Sequence, residues 1–167
     1  MGRFEPLAVW TVFWRTIARH YYAPNRRVSR TEFWYFVLGA IAASFLVAIV
    51  SGLADLSLPS LIVGLALLPP LAGMGSGRLR DTGHNGLLVW TLVLPLLLMH
   101  LFWVGFVFSP FNPLNLLWIT TGLATITKTI ALIAFVALVY FWVLPGTPGD
   151  NRYGASPDGI GAEPAAA

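Results

Sequence analysis

The side chains in this sequence that could do chemistry are arginines and carboxylates, and they lie in three short polar segments between long apolar stretches. Arginine binds carboxylate or phosphate through paired hydrogen bonds. The three segments therefore form either a structural clasp of internal ion pairs or a surface that binds the phosphate of an anionic lipid. The arginines assigned to ligand or lipid binding are Arg27, Arg30, Arg78, Arg80 and Arg152, and the acids beside them are Glu32, Asp81 and Asp150.

Catalysis is a weaker interpretation of the same residues. Asp81 and His84 are the best carboxylate and histidine pair, but the turn formers at 82–83 lie between them, and two groups do not define a reaction. The chain has no cysteine, no phosphate-binding glycine loop and no metal-ligand set of convincing spacing. We therefore predict a protein that is not an enzyme and that has no metal and no cofactor.

Four long apolar stretches must position the polar segments. A helix needs about 20 apolar residues to cross a hydrocarbon core roughly 30 Å thick, with a usable range of about 17 to 25. The composition agrees, since 57% of the 167 residues are hydrophobic and only 10% are charged. We predict an all-α membrane protein with four transmembrane helices, over residues 33–53, 58–74, 87–108 and 122–144.

The positions of the arginines predict the orientation of these helices. Six arginines precede the first stretch, Arg78 and Arg80 lie between the second and third, and Arg152 follows the fourth. Basic residues beside membrane spans are enriched on the cytoplasmic side. All three polar segments and both termini are therefore expected in the cytoplasm.

The loops on the other side are nearly free of charge. Residues 54–57 and 109–121 contain only Asp55 as a charged residue. Lys128 lies inside the fourth stretch, near its outer end, and we expect its four-carbon stem to carry the ammonium group to the interface.

Residues 1–24 are predicted to form an amphipathic helix at the membrane interface. Apolar and aromatic residues recur there at three- and four-residue spacing, which places them on one helical face. Arg15, Arg19 and Thr16 fall on the opposite face. This pattern is typical of a helix lying on anionic headgroups, although the same apolar face would also suit packing against the helical bundle. The residues of this apolar and aromatic face are Leu7, Trp10, Trp14, Ile17 and Tyr21.

Local signals indicate where the helices begin and bend. Ser29 and Glu32 form a capping box immediately before the first apolar stretch. Pro69–Pro70 is expected to bend or end the second span, because proline lacks the amide hydrogen and clashes with the preceding turn. Gly73 and Gly77 follow at a spacing that permits close helix approach.

The character of the chain changes after the fourth stretch. Residues 145–154 are rich in proline, glycine and asparagine and have no helical period, so they predict a turn segment. The last residues are small and polar and are expected to be disordered. We divide the chain into an interfacial helix over 1–24, a transmembrane domain over 25–144, and a cytoplasmic turn segment with its tail over 145–167.

Three motifs, in order and separated by apolar stretches, resemble the DUF805 family of small bacterial inner-membrane proteins. They are RRVSRTEFW at 26–34, RLRDTGHNG at 78–86 and PGTPGDNRYG at 145–154. The family patterns run approximately GR-x-SR-x-EFW, RLHD-x-G-x-x-GW and PG-x-x-G-x-NRYG. Here Arg26 replaces the usual Gly, Arg80 the usual His and Leu87 the usual Trp. The resemblance implies a multi-pass protein of the bacterial inner membrane, and it brings no established activity with it.

These observations lead to a noncatalytic membrane protein whose cytoplasmic motifs clasp one another or bind anionic lipid or a partner. The alternative is a subunit of a small-solute or ion transporter or channel, which Pro69–Pro70, Pro95 and Lys128 suggest because broken helices often line binding cavities.

The expected partners are the lipid bilayer, anionic phospholipid headgroups, and a second copy or another membrane protein; nucleic acid is not expected. The motif residues assigned a structural role are Ser29, Glu32, Trp34, Asp81, Gly83, Gly86, Asn151 and Tyr153.

Overall fold

A computed structural model describes residues 6–56, 58–107 and 113–157, and over these residues the chain is all-α, as predicted. Three helical segments are long and apolar enough to cross a membrane, namely Arg30–Leu53, Leu58–Asp81 and Thr121–Val143, and a shorter apolar helical segment covers Gly86–Phe102. The α-helices, in order, are α1 (Pro6–Arg19), α2 (Arg30–Leu53), α3 (Leu58–Asp81), α4 (Trp90–Val107) and α5 (Pro113–Val143), and a short 3-10 helix, Gly86–Val89, precedes α4.

The capping box predicted at the start of α2 forms only in part. The Ser29 hydroxyl accepts a hydrogen bond from the Glu32 backbone amide at 3.2 Å, which satisfies one of the free amides of the first turn. In a capping box the Glu32 carboxylate would return this bond to the Ser29 amide. Here that carboxylate accepts hydrogen bonds from Arg15 and Arg26 instead.

Pro69–Pro70 was expected to bend or end the second span; it does not end it, because α3 continues to Asp81. Pro70 has no amide hydrogen to offer the Ala66 carbonyl one turn earlier. The Tyr21 hydroxyl, just beyond α1, donates to that Ala66 oxygen at 2.7 Å. The carbonyl that the proline leaves without a helical partner is thus satisfied from outside the helix.

The helix α5 begins earlier than the apolar pattern predicted. It starts at Pro113, so residues 113–121 of the expected outer loop are helical, while residues 108–112 lie outside the described part of the chain. Proline is well suited to the first position of a helix, because its fixed φ is helical and its missing amide hydrogen would have no partner there.

The buried core lies where α1 and the amino-terminal turns of α2 meet the carboxyl-terminal halves of α3 and α5. Phe33 and Phe36 are fully buried there. The Trp142 ring centroid lies 4.8 Å from that of Phe33, and its indole N–H donates to the Gly75 carbonyl at 3.3 Å. In the carboxyl-terminal half of α2 and the amino-terminal half of α5, large apolar side chains such as Phe45 and Ile126 remain exposed. A protein that keeps so much apolar surface in its long helices requires lipid around it.

The helix α1 packs on α2 and α3 through a face that the sequence pattern did not single out. Val12, Phe13 and Thr16 are buried. Thr16 was assigned to the polar face, and that assignment is wrong, because its hydroxyl is enclosed 4.0 Å from the Met74 sulfur. Trp14, on the predicted aromatic face, stays exposed.

The small residues of α3 admit the connector between α1 and α2. A Cβ atom on Gly73 would lie 3.1 Å from the Ala23 nitrogen, and one on Gly77 would lie 2.7 Å from the Arg26 carbonyl oxygen. The Val28 amide donates to the Gly77 carbonyl at 3.2 Å. Gly73 and Gly77 therefore let a non-helical segment, rather than a second helix, pack closely against α3.

We expect Gly77→Ala to lower the free energy of unfolding by roughly 1–3 kcal/mol, because the new methyl group meets backbone that cannot move aside cheaply. The measurement is the thermal unfolding midpoint of the detergent-purified protein. The matched control is Gly52→Ala in α2, where a Cβ atom would meet nothing within 4 Å. Equal midpoints for the two variants would show that the connector does not need the space at Gly77.

We expect Tyr21→Phe to lower the free energy of unfolding by about 1 kcal/mol, because the Ala66 carbonyl loses its donor. Tyr22→Phe is the control, since this neighbouring tyrosine is more exposed and no recorded hydrogen bond involves its hydroxyl in the described residues. Equal stability of the two variants would mean that the Ala66 carbonyl finds another donor.

Candidate functional site

Asp81, the last residue of α3, carries the carboxylate at the centre of the three motifs. Its Oδ1 accepts hydrogen bonds from Arg27 Nε at 3.1 Å and Arg27 Nη2 at 2.9 Å. Its Oδ2 accepts a hydrogen bond from Arg78 Nη1. The three side chains are between 0% and 5% exposed, so one buried carboxylate is shared by two buried guanidinium groups.

The remaining hydrogens of Arg27 are used by the carboxyl-terminal turn segment. Nη1 donates to the carbonyls of Gly149 at 2.6 Å and Gly154 at 3.1 Å, and Nη2 donates to the Thr147 carbonyl at 2.7 Å. A guanidinium group has five N–H donors and no acceptor. The donors of Arg27 are therefore directed into the protein.

Arg78 is directed toward the end of α5 in the same way. Its Nε donates to the Trp142 carbonyl at 3.0 Å, and its Nη2 donates to the Leu144 carbonyl. The Trp142 carbonyl lies in the last turn of α5, where no helical amide remains to bond it, and the Leu144 carbonyl directly follows the helix. Arg78 thus neutralises part of the Asp81 charge and also caps α5.

Thr147 and Asn151 join the turn segment to the end of α3. The Thr147 amide and hydroxyl both donate to the Asp81 backbone carbonyl, at 2.8 and 2.9 Å. The Asn151 side-chain amide donates to the Arg80 carbonyl at 3.0 Å and to the Thr147 hydroxyl at 2.8 Å. Gly146 lies so close to the Asp81 carboxylate that a Cβ atom there would collide with it.

The other arginines of the predicted binding group lie nearer the surface. Arg80 donates to the Asn25 side chain at 3.0 Å, and Arg152 donates to the Gly83 carbonyl at 2.7 Å. The Tyr153 ring lies beneath both guanidinium groups, 5.6 Å from that of Arg80 and 4.7 Å from that of Arg152. Both distances are within the range of a cation–π contact.

Arg30 is exposed at the start of α2. Its Nη1 is 3.5 Å from the Val143 carbonyl. The predicted binding group is therefore divided, since Arg27 and Arg78 are buried around Asp81 while Arg30 and Arg152 are exposed at separate places.

The remaining motif residues shape the backbone and its packing. Gly83 has a φ of +78°, a conformation that side chains with a Cβ atom rarely adopt. Gly86 is buried against Ser76, and Trp34 is half-buried with its ring edge-on to Phe33. Asn151 Oδ1 also accepts from the Tyr153 amide at 2.8 Å, which forms the tight turn of the last motif.

Asp81 and His84, the carboxylate and histidine pair considered for catalysis, each have other partners, and those of Asp81 are Arg27 and Arg78. His84 Nδ1 lies 3.0 Å from the Thr82 hydroxyl, and the His84 ring packs 4.5 Å from that of Phe141. Asp150 accepts a hydrogen bond from the Ser156 amide at 3.2 Å. Within residues 6–56, 58–107 and 113–157 no group of three or more histidine, aspartate and glutamate side chains could hold a metal ion.

A second charged group surrounds Glu32, and the sequence analysis missed it. Arg15 Nη2 donates to Glu32 Oε1 at 3.2 Å, and Arg26 donates to both carboxylate oxygens at 3.2 and 2.9 Å. The sequence placed Arg15 on the polar face of the interfacial helix and Arg26 in the first motif, and it paired neither with Glu32. Burial lowers the pKa of nearby His20 from its ordinary value, and the charge of Arg26 lowers it further. Charge spacing within α1 could not have found this group, since it depends on how α1 packs against α2.

A cleft of about 530 Å³ opens beside this second group. One wall comes from α1 and the connector to α2, and the other comes from the end of the turn segment. Its lining residues are Arg15, His20, Asn25, Arg26, Arg27, Glu32, Tyr153, Gly154, Ala155, Ser156 and Pro157.

Comparison with known proteins agrees with the three sequence motifs. The profile of a family described as "Protein of unknown function (DUF805)" matches residues 21–155, a range that includes all three. The chain is 24% identical to "Inner membrane protein YhaI" of Escherichia coli strain K12 over 144 residues, which cover 85% of this chain and 92% of that protein. The protein of the same name from Escherichia coli O157:H7 gives the same values. No solved structure matches the chain significantly.

Proposed function

This chain belongs to the DUF805 family, and from that premise we propose that it is a noncatalytic, multi-pass protein of the bacterial inner membrane whose three family motifs clasp one another. By the clasp we mean Arg27, Arg78, Asp81, Thr147 and Asn151. Its role is to hold the turn segment over 145–154 against the cytoplasmic ends of α3 and α5. The protein then presents a fixed cytoplasmic surface in place of a loose tail.

The observation that carries this proposal is the Asp81 carboxylate shared by two arginines that are at most 1% exposed. A buried charge is costly unless it is paired and hydrogen-bonded. Arg27 and Arg78 are paired with Asp81 and also bonded to backbone carbonyls of the last helix and the turn segment. With their donors so used, these two arginines favour a structural role over ligand binding.

The clasp predicts that Asp81→Asn lowers the free energy of unfolding by roughly 3–5 kcal/mol, because two buried guanidinium groups lose their counter-charge. The measurements are the thermal midpoint in detergent and the rate of trypsin cleavage after Arg152, which should rise when the segment is released. The control is Asp150→Asn, a neutralised acid on the exposed side of the same segment.

Asp81→Asn protein that does not fold would leave nothing to measure, so Thr147→Val is a milder second variant. It removes the hydroxyl that bonds the Asp81 carbonyl, Asn151 and Arg27, and should cost about 1 kcal/mol. Unchanged stability and unchanged cleavage in both variants would exclude the clasp.

We further propose that four spans cross the membrane and that both termini are cytoplasmic, with α4 and its preceding 3-10 helix as the third span. Supporting this topology are the arginines beside α2, α3 and α5. Tyr153 and the aromatic residues of α1 lie at the same end of the bundle as these arginines. On this topology α1 rests on the inner leaflet with its exposed tryptophans among the headgroups.

Because the chain has no cysteine, single-cysteine labelling tests this topology directly. A membrane-impermeant maleimide applied to intact spheroplasts should label Leu56→Cys, between α2 and α3, and should reach Ser156→Cys only after permeabilisation. Labelling of both sites in intact spheroplasts, or protection of both, would mean that α4 does not cross. Labelling of Ser156→Cys alone would invert the orientation.

The transporter alternative draws no specific support from the described residues. Its argument rested on broken helices, whereas α3 is continuous through Pro69–Pro70 and α4 is continuous through Pro95. Lys128 is exposed on α5 rather than directed into the cleft. We therefore do not propose transport.

A further inference from the structure

The arginines at the cytoplasmic end fall into two groups that differ in exposure. The side chains of Arg27 and Arg78 are 1% and 0% exposed. Those of Arg15 and Arg26 are 39% and 28% exposed, and both line the cleft. A charged side chain can bind a ligand from solution or from the membrane only if the ligand can reach it. Arg15 and Arg26 meet this condition, and Arg27 and Arg78 do not.

The cleft arginines also have donors to spare. Among the described residues Arg15 makes one recorded hydrogen bond, through Nη2 to Glu32. Arg26 uses its two terminal nitrogens, for Glu32 and for the Met74 sulfur. Each guanidinium has five N–H donors, so both can bind a second anion while they keep the first.

The charge around the cleft is positive. Among the described residues that line the cleft, Glu32 is the one carboxylate, and it is bonded to both Arg15 and Arg26. Burial lowers the pKa of His20 at the cleft edge, and the charges of Arg26, Arg15 and Arg19 lower it further while that of Glu32 raises it. A concave, positively charged site concentrates anions.

The position of the cleft favours phosphate among the possible anions. Arg15 lies one residue from Trp14, which is exposed on the face of α1 that we place among the headgroups. Anionic lipid phosphate is the most abundant anion at that depth of a bacterial inner membrane, and arginine binds phosphate oxygens in pairs. Arg15 and Arg26 converge on the two oxygens of Glu32, so their guanidinium groups are already close enough to share one ligand.

We propose that the cleft between α1 and the turn segment is a binding site for a phosphate group, held by Arg15 and Arg26. The phosphate belongs to an anionic phospholipid headgroup or to a free phosphate compound, and both supply the same oxygens. Glu32 holds the two guanidinium groups in place and offsets part of their charge. This site depends on the proposed function in one respect. The clasp residue Arg27 donates to the Gly154 carbonyl and so holds the opposite wall of the cleft in place.

The test is a lipid titration of the full-length protein in detergent, read by native mass spectrometry. Phosphatidylglycerol and phosphatidylcholine with matched acyl chains are the probes, and phosphatidylglycerol should bind more tightly. Arg15→Gln and Arg26→Gln should each weaken its binding about tenfold, the value for one charged hydrogen bond. The control is Arg152→Gln, which removes an exposed juxtamembrane arginine outside the cleft and should change binding by less than about twofold.

The Glu32→Gln variant distinguishes a ligand-binding role of Arg15 and Arg26 from a purely structural ion pair with Glu32. It keeps the shape of the side chain and removes the charge that competes with the ligand, so phosphatidylglycerol should bind several-fold more tightly even though the protein loses stability. If Arg15 and Arg26 serve only to neutralise Glu32, the same variant should destabilise the protein without improving lipid binding. Equal retention of both lipids, or equal effects of the cleft variants and Arg152→Gln, would overturn the site.

Inorganic phosphate distinguishes the two sources of the ligand. A rise in thermal midpoint with phosphate, absent with chloride at the same ionic strength and absent in Arg15→Gln, would show that the phosphate group alone suffices. A response to phosphatidylglycerol without one to phosphate would assign the site to lipid, and no response to either would reject it. The clasp is tested by the stability of Asp81→Asn and the phosphate site by ligand binding, so either proposal can be rejected without the other.

Discussion

The arrangement of the three motifs depends on one buried carboxylate. Asp81 accepts from Arg27 and Arg78, which are 54 and 3 residues away in the chain. None of the three groups would be stable alone at this depth, because an unpaired buried charge costs several kcal/mol. Their mutual pairing fixes the end of α3 relative to the segment before α2. The carbonyls that complete the guanidinium bonds fix the end of α5 and the turn segment in the same way.

The helix α3 is the element against which the other parts are placed. Its glycines leave room for the connector between α1 and α2, and the Trp142 indole of α5 bonds to its Gly75 carbonyl. Its prolines leave the Ala66 carbonyl open to the Tyr21 hydroxyl. Residues that weaken a helix in isolation are used here as points of contact, because neighbouring segments supply the bonds that the helix lacks.

Arginine serves two purposes at the same end of the molecule. Arg27 and Arg78 are enclosed and paired with Asp81, whereas Arg15 and Arg26 are accessible and line a cleft. The family name and the inner-membrane relatives leave the biochemical role open. The accessible arginine Arg15 lies on α1, a helix that wholly precedes the residues matched to the family.

The sequence alone determined the all-α class, the apolar helices, the Ser29 cap and the three motifs, because hydrophobic length and local capping depend on neighbouring residues. Only the tertiary structure decided that Thr16 is buried, that α3 continues past its prolines, and that Glu32 pairs with Arg15 and Arg26. Helices that are apolar on every side do not reveal which face meets a neighbour. The pairing of distant charges follows from that choice of face, so it emerges only when the helices are packed together.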